Sequence, residues 1–291
     1  MNLRKSLSLL FILIAFVISK AQEIPVKHTI GEKYNDRYKY SNLLTISDNE
    51  KGGTILVRAY YTGMILRPKG YFIETYDKDL QLISEYNYKL KNANFVDGYV
   101  RNGQVYLLFL DYNYDTFSYD YVVHRSPMDD MSFTTETILS IRSDEVREPL
   151  DRNYYNRNFT SGFTTSVLFD DAKSAFVIST HFKKGKNNQH FIYLFNSSLN
   201  KVITHDFSAE VEEKNYSFEN IAFSKDLQNA YIVGKAYFKK KRFEAKDRKF
   251  QYELVSVTNQ GHQIQEFADA GRYPESLKPL LLGNDLVVVG F

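Results

Sequence analysis

The sequence has 291 residues, with 23 tyrosines, 22 phenylalanines, no tryptophan and no cysteine. Without cysteine the chain cannot form a disulfide, a thiolate metal site or a cysteine nucleophile, so its stability must come from its core. The 37 basic and 35 acidic residues give a formal net charge of +2, and this near balance disfavours nucleic acid as a partner, because general nucleic-acid binding requires a basic footprint.

The first 21 residues have the pattern of a secretory signal peptide. Arg4 and Lys5 precede the apolar run Leu9–Ile18, and the small residues Ser19 and Ala21 favour cleavage after Ala21. The run has ten residues, whereas a helix that spans a bilayer needs about 20. The alternative is an uncleaved N-terminal anchor. We therefore predict an exported protein, located in the periplasm, at the cell surface or outside the cell, with no membrane span in the mature chain.

The rest of the chain repeats one strand pattern. An apolar segment follows a short turn rich in Asp, Asn, Gly and Lys five times, and the segments start 51, 70, 55 and 56 residues apart. Asn, Asp and Gly tolerate the left-handed backbone that tight hairpins need. The five segments are Gly53–Tyr60, Gln104–Asp111, Ser174–His181, Asn229–Ala236 and Asp285–Phe291.

A second hairpin follows in the first four repeats, over residues 71–86, 121–138, 191–207 and 252–267. Each repeat therefore reads as four antiparallel strands, and its second strand is apolar on both faces, as burial between two neighbouring sheets requires. Radial stacking buries both faces of such sheets. We predict an all-β fold, a β-propeller of four-stranded antiparallel blades with about four complete blades and a partial fifth. The alternative is one or two β-sandwiches made of the same hairpins.

The incomplete fifth blade leaves two interpretations open. Residues 23–40 supply its outer strands and close a five-bladed ring, or the chain is the truncated front part of a longer protein, which the apolar end at Phe291 favours. We predict that residues 141–158 form a polar insertion, which accounts for the 70-residue spacing between the second and third apolar segments. The predicted organisation is a signal peptide over 1–21, an N-terminal segment with a ring-closing strand over 22–40, and blades over 41–88, 93–140, 162–208, 216–268 and 276–291.

A search for catalytic motifs finds no nucleophile elbow, phosphate-binding loop or dinucleotide-binding fingerprint. Propellers that cleave glycans place paired carboxylates on inner strands that face the channel. The clear inner-strand acids are Asp97 and Glu219, and we do not expect them to act as a catalytic pair. We predict no catalytic residue and no cofactor.

The six histidines have no spacing typical of a metal site. His181 and His190 flank one loop and could approach each other across the hairpin, but two histidines without a third ligand make a weak zinc site. His124, His205 and His262 lie on or beside hairpins, where we expect them to be solvated. We predict no metal.

The loops between the second and third strands of the blades carry contrasting side chains. Tyr112, Tyr114 and Tyr119 alternate with acids in the second blade, and tyrosine suits stacking and hydrogen bonding to carbohydrate. The third and fourth blades present basic residues at Lys183, Lys184, Lys186, Lys239, Lys240, Lys241 and Arg242. One interpretation is a face of split polarity that binds an anionic glycan or a protein. The other is that lysine-rich tips keep exposed hairpins soluble and prevent edge pairing.

The signal peptide ending in Ser-Lys-Ala-Gln, the richness in Tyr, Asn and Lys, and the Asp/Asn turns resemble those of uncharacterised secreted propeller-like proteins of Bacteroidota. The resemblance covers the whole mature chain, and it implies an envelope or extracellular location without carrying over functional residues. We predict a non-catalytic binding or scaffold module for a protein or glycan partner. The alternative is a glycan-active enzyme, a hydrolase or lyase, with a site in the propeller channel.

Overall fold

The computed structural model describes residues 30, 40–62, 67–91, 93–142, 163–184, 187–211, 214–238, 250–267, 274–283 and 285–290, without the side chains of residues 67, 183, 184, 187, 188 and 238. Within these ranges the chain forms eighteen β-strands and no helix. A search of these ranges accordingly finds no helix with the length and apolar character needed to cross a membrane. The predicted signal peptide, nearly all of the 22–40 segment and most of the 141–158 insertion lie outside them.

The strands form four four-stranded sheets and one two-stranded sheet, which we number blades 1 to 5 in chain order; all pairings are antiparallel between consecutive strands. Blade 1 contains β1 (Ser41–Asp48), β2 (Thr54–Thr62), β3 (Arg67–Tyr76) and β4 (Leu82–Tyr88), and blade 2 contains β5 (Asn94–Arg101), β6 (Gln104–Asn113), β7 (Ser118–Pro127) and β8 (Thr134–Arg142). Blade 3 contains β9 (Phe163–Phe169), β10 (Ala175–Lys184), β11 (Asn187–Asn196) and β12 (Lys201–Asp206). Blade 4 contains β13 (Lys214–Phe223), β14 (Ala230–Phe238), β15 (Phe250–Thr258) and β16 (Gly261–Glu266), and blade 5 contains β17 (Leu277–Leu282) and β18 (Asp285–Gly290).

An apolar cluster lies between each pair of successive blades. Leu107 of β6 packs in the cluster between blades 1 and 2, and its neighbour Leu108 packs in the cluster between blades 2 and 3. In the same way, Ile232 of β14 packs in the cluster between blades 3 and 4, and Val233 packs in the cluster between blades 4 and 5. Because consecutive strand residues point to opposite faces, a strand buried on both faces reads as a continuous apolar run.

The first strands of the blades lie on one common side of the stack. β1 contacts β5, β9 contacts β13, and β13 contacts β17. Together with the apolar clusters between blades, these contacts confirm the predicted all-β fold of four-stranded propeller blades, four complete and one partial. The sandwich alternative is wrong, because blades 2, 3 and 4 each pack on two neighbours instead of facing one partner sheet.

Candidate functional site: the β6–β7 loop

Each complete blade is an antiparallel meander, so its connections leave alternate edges of the sheet. The turns after the first and third strands lie at one edge, which we call the turn face. The opposite edge, which we call the loop face, is where β2, β6, β10 and β14 end and β3, β7, β11 and β15 begin. The sequence placed every candidate binding residue on or next to the loop face.

The β6–β7 loop is the part of the loop face that the structure describes most fully. Tyr114 is 67% exposed and Phe117 is 54% exposed, while Tyr112 is half-buried. Sequence reasoning singled out the tyrosines and missed Phe117, although it lies in the same aromatic loop. The basic residues predicted on this face lie outside the described residues, namely the side chains of Lys183 and Lys184 together with Lys186, Lys239, Lys240, Lys241 and Arg242.

Hydrogen bonds from side chains hold the backbone of this loop. Asn113 Oδ1 accepts from the backbone N–H groups of Asp115 at 3.0 Å and Thr116 at 3.3 Å. Asp120, which is buried, accepts from Asn113 Nδ2 at 3.1 Å and from Ser118 Oγ at 2.7 Å. These contacts join the two ends of the loop through one buried carboxylate. They support Phe117 in the left-handed conformation, with a φ of 52°, which a bulky side chain adopts only under constraint.

A column of aromatic rings connects the loop to the core. The rings of Tyr114 and Tyr112 meet edge to face at 5.0 Å between centroids, and Tyr112 lies 5.3 Å from Tyr119. Tyr119 in turn stacks on Phe163 of blade 3 at 4.4 Å. The prediction that Tyr119 belongs to the exposed face is therefore wrong, since it is fully buried. It supports the loop from below because alternation along β7 turns it toward the neighbouring blade.

The prediction that three hairpin histidines are solvated is wrong for His124 and correct only in part for His205 and His262. His124 is buried between blades 1 and 2, where its Nδ1 is hydrogen-bonded to the Tyr88 hydroxyl at 2.6 Å, and burial lowers the pKa of His124 to about 4. His205 and His262 are half-buried and hydrogen-bonded to each other at 2.7 Å between blades 3 and 4. His262 Nε2 also lies 3.3 Å from a carboxylate oxygen of Glu210. All three histidines therefore join neighbouring blades.

His181 and His190 do approach each other, as directly paired residues of β10 and β11 with ring centroids 5.8 Å apart. Among the described residues, no group of three histidine or carboxylate side chains could hold a metal ion. His190 Nε2 is instead hydrogen-bonded to Ser179 Oγ at 2.6 Å. A serine beside a histidine can be an activated nucleophile, but both residues are buried here. Burial, with His181 as a second cause, lowers the pKa of His190 to about 3, far from the value that suits a general base near neutral pH.

The two inner-strand acids each hold a lysine. Asp97 on β5 accepts from Lys173 Nζ of blade 3 at 2.6 Å and from Thr45 Oγ1 of blade 1 at 2.9 Å, so its carboxylate links three blades. Glu219 on β13 pairs with Lys235 Nζ at 2.7 Å. The hydrogen bond to this carboxylate raises the pKa of Lys235 to about 12, and partial burial opposes the rise. Both carboxylates are used in structural ion pairs.

The strand order and the packing of the blades define a propeller-type protein. Comparisons with known proteins do not assign this protein to a family. No protein family matches the sequence, and no curated protein is similar to it. Among solved structures, an ACO/RPE65 chimera has a TM-score of 0.45 at 8% identity over 76% of this chain and 48% of its own. A prolyl endopeptidase has a TM-score of 0.44 at 10% identity over 86% of this chain and 31% of its own.

The endo-arabinase of Bacteroides thetaiotaomicron has a TM-score of 0.38 at 12% identity, over 87% of this chain and 88% of its own. This chain thus spans about half the length of the chimera and about a third of the prolyl endopeptidase. All three TM-scores are below 0.5, so the assignment to the propeller class rests on strand order and packing alone.

Proposed function

We propose that the protein is an exported, non-catalytic binding module whose β6–β7 loop binds a glycan. The observation that carries this proposal is the pair of exposed rings, Tyr114 and Phe117, on a loop held by Asn113 and Asp120. Aromatic rings supply contact area to the apolar face of a sugar. A loop that is already ordered loses little conformational entropy when it binds.

The polar groups of the loop suit the same ligand. Asp115 and Thr116 lie between the two exposed rings in sequence and are themselves exposed, so they can hydrogen-bond to sugar hydroxyls. The basic residues predicted on the loop face of blades 3 and 4 would favour an anionic glycan over a neutral one. The alternative of a glycan-active enzyme gains no support from Asp97 and Glu219, because lysines neutralise both.

The proposal is tested by replacing Tyr114 and Phe117 with serine and measuring retention on immobilised anionic and neutral polysaccharides. We expect the Y114S/F117S variant to keep the wild-type Tm and to lose about tenfold in affinity, since each aromatic contact contributes about 0.5–1.5 kcal/mol. A second variant, in which Lys239, Lys240, Lys241 and Arg242 become serine, should lose retention on the anionic matrix only.

The matched control is Leu282→Ser, which removes a side chain of similar exposure, 64%, from blade 5. This variant should bind like the wild type. Unchanged retention of Y114S/F117S would exclude the loop as the glycan site. Failure of every polysaccharide to retain the wild-type protein would exclude a glycan as the ligand and leave a protein partner.

A further inference from the structure

A cleft of about 570 Å³ lies on the turn face, between β4 of blade 1 and the β7–β8 turn of blade 2. Its size is within the range of roughly 300–1,000 Å³ that is usual for small-molecule sites. Because the turn face and the loop face are opposite edges of the blades, this cleft is separate from the β6–β7 loop. None of the residues predicted to bind a ligand lines this cleft.

Two hydroxyl side chains line the cleft from blade 1. Thr75 of β3 and Ser84 of β4 are directly paired across the two strands, so they lie on the same face of the sheet. Thr75 is only 6% exposed, and its Oγ1 has no hydrogen-bond partner in the described structure. Leaving a buried hydroxyl unsatisfied costs free energy, and most buried polar groups in proteins are paired. Because this oxygen is itself fully covered, the Thr75 side chain must turn about χ1 to present its hydroxyl to the cleft, where a ligand hydroxyl would satisfy it.

A second group of lining residues is apolar or aromatic. Tyr86 follows Ser84 on the same face of β4, is 37% exposed, and has its ring against those of Tyr88 and Phe133. Met128 and Met131 contribute buried side chains from the β7–β8 turn. The cleft therefore combines one supported aromatic ring with hydroxyl groups, the combination that a polyhydroxylated ring with one apolar face requires.

The charges at the rim carry both signs. Lys51 of blade 1 forms an exposed ion pair with Asp129 of blade 2 at 3.2 Å across the boundary between the blades. Lys78 and the acids Asp77, Glu85 and Asp130 also line the cleft. Carboxylates therefore outnumber lysines at the rim, which disfavours an anionic ligand, while the two lysines reduce the attraction for a cation. A neutral ligand meets neither penalty.

We propose that this cleft binds a neutral saccharide of one or two rings, which stacks on Tyr86 and hydrogen-bonds to Thr75 and Ser84. The proposal stands independently of the glycan site proposed on the β6–β7 loop. Each site can fail without the other, since Y114S/F117S leaves the cleft intact and substitutions in the cleft leave the loop intact.

The test replaces Thr75 with valine, which keeps the shape of the side chain and removes its hydroxyl. Binding of glucose, galactose, maltose and cellobiose to the full chain is measured by calorimetry and ligand-observed NMR, beside Tm. We expect at least one of these sugars to bind, and T75V to weaken its binding about tenfold. The same variant should raise the Tm of the free protein by about 2–4 °C, because an unsatisfied buried hydroxyl is gone.

Tyr86→Ala gives a second measurement, since Tyr86 is partly exposed and its removal does not open the core. This variant should lose sugar binding, and Y114S/F117S should retain it. The proposal is overturned if none of the four sugars binds, if T75V binds them as the wild type does, or if only the charged probes spermidine or citrate bind.

Discussion

The buried side chains of His124 and His190 make the stability of this protein depend on pH. Each is buried at a boundary between blades and hydrogen-bonded to a hydroxyl, from Tyr88 and Ser179 respectively. Burial lowers their pKa values from 6.5 to about 4 and about 3. For His190 the neighbouring His181 adds to the lowering, while Asp206 opposes it. In both cases the folded protein holds the neutral imidazole.

We expect these two histidines to destabilise the protein in mild acid. Their folded pKa values lie below the unfolded value of 6.5, so the unfolded chain binds more protons as the pH falls below 6.5. Their stabilising contribution is complete above that pH and is lost progressively toward pH 4 and below, with a slope of up to about 1.4 kcal/mol per pH unit for each histidine.

Urea denaturation at about pH 7.5, 6.5, 5.5 and 4.5 would measure this slope. The matched comparison is the H124N/H190N double variant, which removes both titrating groups. We expect it to be less stable at neutral pH and to lose less stability on acidification. A double variant with the same pH slope as the wild type would contradict this assignment.

Among the elements, the same kind of turn joins the third and fourth strands of blade 1 and of blade 3. In the β3–β4 turn the Asp77 carboxylate accepts from two backbone N–H groups of the turn, and in the β11–β12 turn the Asn196 side chain does the same. The residue three positions later is left-handed in both, Leu80 with a φ of 60° and Leu199 with a φ of 67°. Leucine is an unusual occupant of this conformation, so the side-chain oxygen at the first position must stabilise the turn.

We therefore expect Asp77→Ala to lower the free energy of unfolding by about 1–2 kcal/mol, because two N–H groups lose their acceptor. The acceptor distances are 2.9 Å from Asp79 N and 2.8 Å from Gln81 N. Asp79→Ala is the control, since it removes a carboxylate from the same turn without removing those bonds. Chemical denaturation of the two variants should separate them, and equal losses would show that the Asp77 hydrogen bonds do not matter.

At the scale of the whole molecule, stability is distributed over the boundaries between blades. Each boundary has its own apolar cluster, and the main strand-to-strand contacts between sheets join neighbours in chain order. One exposed ion pair, Lys278–Asp171, also joins blade 5 to blade 3. In such repeat architectures the free energy is approximately a sum of blade and boundary contributions. Weakening one boundary should therefore reduce the cooperativity of unfolding as well as its midpoint.

Phe163→Ala is the sharpest test of that expectation. Phe163 is fully buried at the start of blade 3 and stacks on Tyr119 of blade 2, so its removal should cost about 3–5 kcal/mol. Hydrogen exchange followed through thermal unfolding should show blades 1 and 2 separating from blades 3 and 4. The same substitution at the exposed Phe117 should change stability little. A single, unbroadened transition in F163A would argue against independent boundaries.

The strands and turns were predictable because both are local properties of the sequence. The second strands β6 and β14 are continuous apolar runs, and the Asp or Asn residues before and within the hairpins mark the turns. The exposure of Tyr114 could also be predicted, because a loop tip at the edge of a sheet has no neighbour to cover it. Phe117 could have been included on the same grounds.

The local pattern of residues thus predicts the four-stranded repeat, its hairpins and the stacking that buries both faces of the blades. The packing of the blades, by contrast, is what buries Tyr119 and His124, joins Asp97 to three blades, and leaves Thr75 beside a cleft with its hydroxyl unsatisfied. Alternation along a strand tells which face a side chain takes, but the group that meets it belongs to another blade, and that contact depends on how the blades pack.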